Sequence, residues 1–320
     1  FCRIHRKLIP SAQRLMRYHH FSLIPLAFAG CLFGCQPTPS LTGAELIQKY
    51  PEKHYLQIDG VALHYEQEGI GPPVVLLHGL LTHSALWRTI ASGLTYGNTI
   101  YTVDLMGFGF SEKPQNVTYS LDTYIAQLGV VAETLHLNRP ILVGHGLGAV
   151  IATLYAMRHP AKVNKLVLMD VPFSNVTLPF SLRALRAPLL GEWFVGDWAL
   201  DQVFRDGVEN DAVLTAAMLR IYAQPYHEDP GAWAALRKCL REANVEATWE
   251  QEIHPHLATL RLPILLIWGG NDEYAPVALG RTLHEALPQA QMEVILRSGH
   301  YVQEDRPEEV RAILKAFLDR

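Results

Sequence analysis

Several things are scarce in this chain, and each scarcity removes a class of protein. No stretch of its 320 residues reaches the roughly 20 consecutive apolar residues that a membrane-spanning helix needs. There is no excess of positive charge: 27 Lys and Arg stand against 31 Asp and Glu, a net charge of -4, so nothing points to a nucleic-acid partner. Cysteine is sparse, at Cys2, Cys31, Cys35 and Cys239, and too few remain beyond the N-terminal segment for a disulfide framework. No internal repeat or long low-complexity tract is present. His254-x-His256 has too few partners to suggest a metal site, and no cofactor is expected.

The N-terminus differs from the rest. Residues 1 to 20 carry five cations (Arg3, Arg6, Lys7, Arg14, Arg17) and no acid, and an apolar run of 14 residues, Phe21 to Gly34, follows. That charge and length pattern predicts a signal peptide over 1–34, with Met16 as the candidate translation start. Leu32-Phe33-Gly34-Cys35 resembles the lipobox of bacterial lipoproteins, with Phe28-Ala29-Gly30-Cys31 as a second candidate. Cys35 is preferred because it leaves the fuller apolar run before the cut. The polar, Pro-stiffened Gln36-Pro37-Thr38-Pro39-Ser40 after it reads as a tether, taken to extend over 35–52. The expected address is the bacterial cell envelope, facing the periplasm on a lipid anchor; plain secretion is the alternative. Processing would leave 22 cations against 31 anions, a net charge near -9.

From Gln57 the pattern is α/β. Tyr55–Ile58 and Val61–Gln67, joined at Asp59-Gly60, read as a hairpin. Buried parallel strands are predicted at Val74–Leu77, Thr99–Val103, Ile141–Val143, Lys165–Met169, Ile264–Trp268 and Met292–Leu296. Helices are predicted at Ala85–Leu94, Leu121–Leu135, Leu147–Arg158, Val277–Leu287 and Pro307–Leu318. The alternation gives a mostly parallel, doubly wound sheet over 53–170 and 261–320. It breaks over 171–260, where segments such as Asp211–Tyr222 and Gly231–Ala243 are helical and four of the six tryptophans lie (Trp193, Trp198, Trp233, Trp249). An insertion at the C-terminal edge of such a sheet covers the place where ligands bind, so it reads as a helical cap.

Five motifs stand in order along this frame. His78-Gly79-Leu80-Leu81 follows the third strand, and Asp104 with Gly107-Phe108-Gly109-Phe110-Ser111-Glu112-Lys113-Pro114 follows the fourth. Gly144-His145-Gly146-Leu147-Gly148 joins a strand to a helix. Trp268-Gly269-Gly270-Asn271-Asp272-Glu273-Tyr274-Ala275-Pro276 and Ser298-Gly299-His300 come last. From Val74 onward the chain closely resembles the α/β-hydrolase superfamily, in its capped, esterase- and dehalogenase-like branch. The resemblance implies an oxyanion loop at Leu80, an acid at Asp272 and a general base at His300. It also implies a nucleophile elbow, Gly-x-Ser-x-Gly, whose central position here is Gly146. What is missing is the hydroxyl. Asp, the nucleophile of the dehalogenase and epoxide hydrolase branches, is absent too, and Leu147 stands where dehalogenases carry a halide-binding Trp, although His300-Tyr301-Val302-Gln303-Glu304-Asp305 looks dehalogenase-like.

The elbow residue normally sits at strained positive φ, and glycine relieves that strain, so the turn is expected to persist. The oxyanion donors are backbone N–H groups of Leu80 and Leu147 and do not depend on residue 146. Residual catalysis without a triad member is about 10³ to 10⁴-fold over water, far below a working esterase. Three readings follow: a degenerate ester or acyl hydrolase that binds a small apolar ester-like molecule; a noncovalent hydrolase or lyase using His300 and Asp272; and a membrane-tethered interaction protein. Asp170 is an alternative acid, though capping or turn formation suits it better, and His145 reads as a packing residue.

Overall fold

The computed structural model describes residues 40–173, 178–187 and 196–320. The expected lipidation site Cys35, its alternative Cys31, the signal segment and Trp193 lie outside these residues. Eight strands form one sheet: β1 (His54–Ile58), β2 (Val61–Gly69), β3 (Pro73–Leu77), β4 (Thr99–Val103), β5 (Ile141–His145), β6 (Leu166–Met169), β7 (Ile264–Gly269) and β8 (Gln291–Ile295). Their spatial order is β1-β2-β4-β3-β5-β6-β7-β8. β1, β2 and β4 pair antiparallel, and every pairing from β4 through β3 to β8 is parallel. Strands β4 to β7 are buried along their whole length, as a sheet covered on both faces requires, while edge strands β1 and β8 mix buried and exposed positions.

The helices are α1 (Gly43–Lys49), α2 (Arg88–Ala91), α3 (Leu121–Thr134), α4 (Leu147–Arg158), α5 (Phe180–Arg186), α6 (Asp197–Gly207), α7 (Ala216–Glu228), α8 (Ala232–Glu242), α9 (Val245–Thr248), α10 (His254–His256), α11 (Val277–Ala286), α12 (Val302–Asp305) and α13 (Pro307–Leu318). Among the described residues no helix is long and apolar enough to cross a membrane. Helices α5 to α10 fall between β6 and β7 and form the cap. Of its tryptophans, Trp249 is buried against Phe173 and Trp233 packs on Tyr226, whereas Trp198 is 46% exposed.

Three expectations need correction. Residues 43–49, assigned to a tether, are helix α1: Thr42 accepts the N–H of Glu45, whose carboxylate accepts the N–H of Thr42, a reciprocal capping box. The helix expected over Ala85–Leu94 is a 3₁₀ turn, Ser84–Trp87, followed by one α-turn. The helix expected over Asp211–Tyr222 divides, because Asn210 caps a separate turn and Thr215 caps α7.

The topology locates the site. From β3 the chain crosses to β4 on one side, and β5 then pairs with β3 on the other. The loops after β3 and β5 therefore leave the sheet in opposite directions, opening a crevice at the C-terminal ends of these strands. Leu80 and Gly146 lie on those two loops.

Candidate active site

Gly146 is the N-cap of α4, at φ 53° and ψ -120°. Its N–H is held by the carbonyl of Met169 at 3.1 Å, and the N–H of Gly148 by that of His78 at 3.1 Å. The flanking positions tolerate no bulk: a Cβ on Gly144 would come within 2.5 Å of Ala149, and one on Gly148 within 2.3 Å of the Leu77 carbonyl oxygen. The N–H groups of Leu80 and Leu147 donate to no acceptor among the described residues. The preceding His78 fixes the β3 loop: Nδ1 donates to the Gly79 carbonyl at 2.7 Å and Nε2 accepts the N–H of Leu105 at 2.9 Å. That arrangement needs a neutral ring, and burial pushes His78 down to about 4.

Opposite the elbow, His300 lies on the loop after β8 and Asp272 on the loop after β7. Nδ1 of His300 is 2.9 Å from Oδ2 of Asp272. The other carboxylate oxygen, Oδ1, accepts the N–H groups of Tyr274 at 2.8 Å and Ala275 at 2.9 Å, so the carboxylate cannot swing. A carboxylate at Asp272 accepts the hydrogen bond of Nδ1–H, which leaves Nε2 as the bare nitrogen of a neutral ring. A Cβ built on Gly146 would lie 3.7 Å from that Nε2.

The neighbours keep this pair in place. His145 donates from Nε2 to the carbonyl of His300 at 2.9 Å; burial first and the adjacent His300 second hold it well below its ordinary value, hence neutral. Asp170, buried at the end of β6, accepts the N–H of Gly269 at 2.8 Å, and burial and the charge of Asp272 push its carboxyl far above the usual range. Asp170 thus stands behind the acid. Two residues escaped sequence reasoning. Asp305 gathers the N–H groups of Gly299, Glu209 and Asn210 at 2.8–3.2 Å, tying the histidine loop to the end of α6. Glu304 makes a two-point contact with Arg88 at 2.6 and 2.7 Å and accepts the phenol of cap residue Tyr222 at 2.5 Å. The only local hint was two acids shortly after His300; apart from Gly299, their named partners are 82 to 216 residues away.

Gly146, Leu80, Leu147 and His300 border a cavity of about 270 Å³, closed on the cap side mainly by apolar residues such as Leu182, Val203 and Leu240. Arg186 and Glu246 supply one charge of each sign along its border. Among the described residues no cluster of three or more His, Cys, Asp or Glu could hold a metal ion.

This order of loops on this sheet matches the alpha/beta hydrolase fold over residues 72–307. The chain belongs to that family. It is 26% identical over 270 residues to the 2-hydroxy-6-oxo-2,4-heptadienoate hydrolase of Pseudomonas putida, covering 81% of this chain and 93% of that one. It is 27% identical over 285 residues to the cis-3-alkyl-4-alkyloxetan-2-one decarboxylase of Shewanella oneidensis, covering 83% and 88%. Among solved structures, the haloalkane dehalogenase DatA of Agrobacterium tumefaciens C58 superposes with a TM-score of 0.74 at 26% identity, over 84% of this chain and 96% of that one. Within this α/β-hydrolase, Leu80, Gly146, Asp272 and His300 on their loops and Leu147 at the start of α4 lie at one end of one crevice.

Proposed function

We propose that this α/β-hydrolase descends from an ester or related acyl hydrolase, keeps a pocket for a small acyl ligand, and has little or no covalent catalysis because Gly146 supplies no nucleophile. The supporting observation is the space at the elbow. A Cβ on Gly146 would meet only the Cα of Gly79 at 3.4 Å and Nε2 of His300 at 3.7 Å, both ordinary contacts, so a seryl side chain fits beside a waiting base. Gly146→Ser is expected to create activity towards short acyl esters and labelling by fluorophosphonate probes. Both should vanish when His300→Ala is added, and the unmodified protein should show little of either. A folded Gly146→Ser protein inactive on a broad ester panel would sink this reading.

The retained Asp272–His300 pair, together with a decarboxylase among the relatives, favours a second reading, in which His300 activates water or a substrate proton without a covalent intermediate. Turnover by the unmodified protein that disappears in His300→Ala would establish it. We further propose that Cys35 is lipid-modified and tethers the protein at the bacterial envelope, on the strength of the basic segment, the short apolar run and Leu32-Phe33-Gly34-Cys35. Cys35→Ala should then leave the precursor unprocessed; normal processing and membrane retention would move the site to Cys31 or remove it.

A further inference from the structure

Loss of the hydroxyl at 146 changes what the pocket can recognise. A neutral imidazole with Nδ1–H on Asp272 offers only a lone pair at Nε2, and in a serine enzyme the hydroxyl supplies the proton for it. Here that lone pair has no hydrogen-bond partner among the described residues, although His300 is only 9% exposed. Across the space left by Gly146 lie the N–H groups of Leu80 and Leu147, also without acceptors there, the second at the N-terminus of the 12-residue helix α4. An ester brings acceptors only, so it can use the N–H groups but leaves Nε2 unmet. A free carboxylate can use all three groups if one proton is taken up with it.

We propose that the cavity is a receptor for an aliphatic monocarboxylate, bound together with one proton, with one oxygen on the Leu80 and Leu147 N–H groups and the other on the protonated Nε2 of His300. This rests on the acyl-pocket reading above and names its ligand class. No covalent bond of the ligand is made or broken; an N–H bond forms at Nε2 with a proton given up by hydronium or buffer acid, which leaves as water or buffer base.

The charges around the site suit such a triad. Asp272 lies on the far side of the ring and stabilises the imidazolium. Behind it, burial and the charge of Asp272 push Asp170 far above the usual carboxylate range, and burial and the adjacent His300 hold His145 of β5 well below its ordinary value. The phenol of Tyr274 donates to the carbonyl of Val203 at 2.7 Å, and Tyr301, whose ring lies 5.3 Å from that of His300, is pushed up by burial and is likewise neutral at ordinary pH. Arg186 and Glu246 contribute opposite charges along the cavity border. The remaining positive field comes from the α4 terminus, which favours an anion at Leu147. Beyond it the lining is apolar and suits an alkyl tail.

The test is calorimetric titration of the full chain with octanoate and with two neutral, acceptor-only analogues, nonan-2-one and methyl octanoate, repeated in buffers of different ionisation enthalpy. Octanoate should bind at least tenfold more tightly than either neutral analogue at neutral pH. At pH 8 and above it should take up close to one proton, with affinity falling towards tenfold per pH unit. His300→Ala should abolish the proton uptake and the preference while leaving the neutral analogues bound. Gly146→Ala, which fills the space without touching the tail pocket, should weaken octanoate at least tenfold. Equal binding of all three ligands, or octanoate binding without proton uptake, overturns the carboxylate proposal and leaves the acyl pocket standing. Failure of all three to bind overturns both.

Discussion

Two aspartate–histidine pairs are built into this sheet, and they are nearly the same object chemically. Asp104, after β4, meets Nδ1 of His64 on β2 at 2.8 Å; Asp272 meets Nδ1 of His300 at 2.9 Å. Each carboxylate also accepts two backbone N–H groups, from Ser84 and Phe110 in the first case and from Tyr274 and Ala275 in the second. The first pair even has a serine beside it, Ser111, whose hydroxyl accepts the N–H of His64 and donates to the carbonyl of Asp104. Yet its free ring nitrogen, Nε2 of His64, is sealed in the protein, while that of His300 faces the cavity. An acid–imidazole pair with a hydroxyl on its backbone therefore does not make a site. Free volume at the second ring nitrogen does, and the sheet provides it only at the crevice between the β3 and β5 loops.

Stability should separate the pairs most sharply. Asp104→Ala would leave a buried imidazole and two buried N–H groups without an acceptor, and is expected to cost about 3 to 5 kcal/mol in chemical denaturation. Asp272→Ala removes a similar number of bonds beside a cavity that admits water, and should cost about 1 to 3 kcal/mol. The pH dependence carries the same contrast. Burial alone would raise Asp104, but the charge and hydrogen bond of His64 hold it well below the carboxylate range. A depressed value stabilises the fold above the unfolded value of about 3.9 and loses that contribution as pH falls through the folded one. The acid-unfolding limb below about pH 4 should flatten in Asp104→Ala. Equal costs for the two alanine variants would erase the proposed distinction.

The two pairs also differ in how far local sequence revealed them. Asp272 and His300 stand in short motifs whose flanking glycines and prolines mark loops after apolar strands, so their positions are legible in local sequence. Asp104 stood in a motif as well, but its partner His64 lies 40 residues earlier in a β2 segment with no distinguishing neighbours. The strands were readable because a sheet covered on both faces demands continuous apolar runs. The contacts that bind the cap to the core were not. Lys113 and Asp229, an ion pair at 3.4 Å with both side chains buried, and Asp305 on the end of α6, depend on how the insertion lies over the sheet. Helix α1 is a different case, since Thr42-Gly43-Ala44-Glu45 carries its capping box openly and was overlooked beside the Pro-rich stretch before it.

The finest test of free volume uses two glycines that share a positive φ. Gly109 has φ 52° and Gly146 φ 53°, so adding a methyl group carries a backbone cost at each, on the order of 1 kcal/mol. Their surroundings are opposite. At Gly109 a Cβ would lie 2.2 Å from Oδ2 of Asp104, in a carboxylate that cannot retreat without giving up Phe110 or His64. At Gly146 it would lie 3.7 Å from Nε2 of His300. Gly109→Ala should therefore cost about 3 kcal/mol or more, as overpacking at a buried charge adds to the backbone strain. Gly146→Ala should cost only the backbone term, about 1 kcal/mol. Thermal or urea unfolding of the two variants against the parent measures both. A Gly146→Ala cost matching that of Gly109→Ala would mean that the space before His300 is already filled in solution, which is incompatible with a seryl side chain fitting there. A cost near 1 kcal/mol leaves the elbow strained but open, the state from which a hydroxyl could be restored.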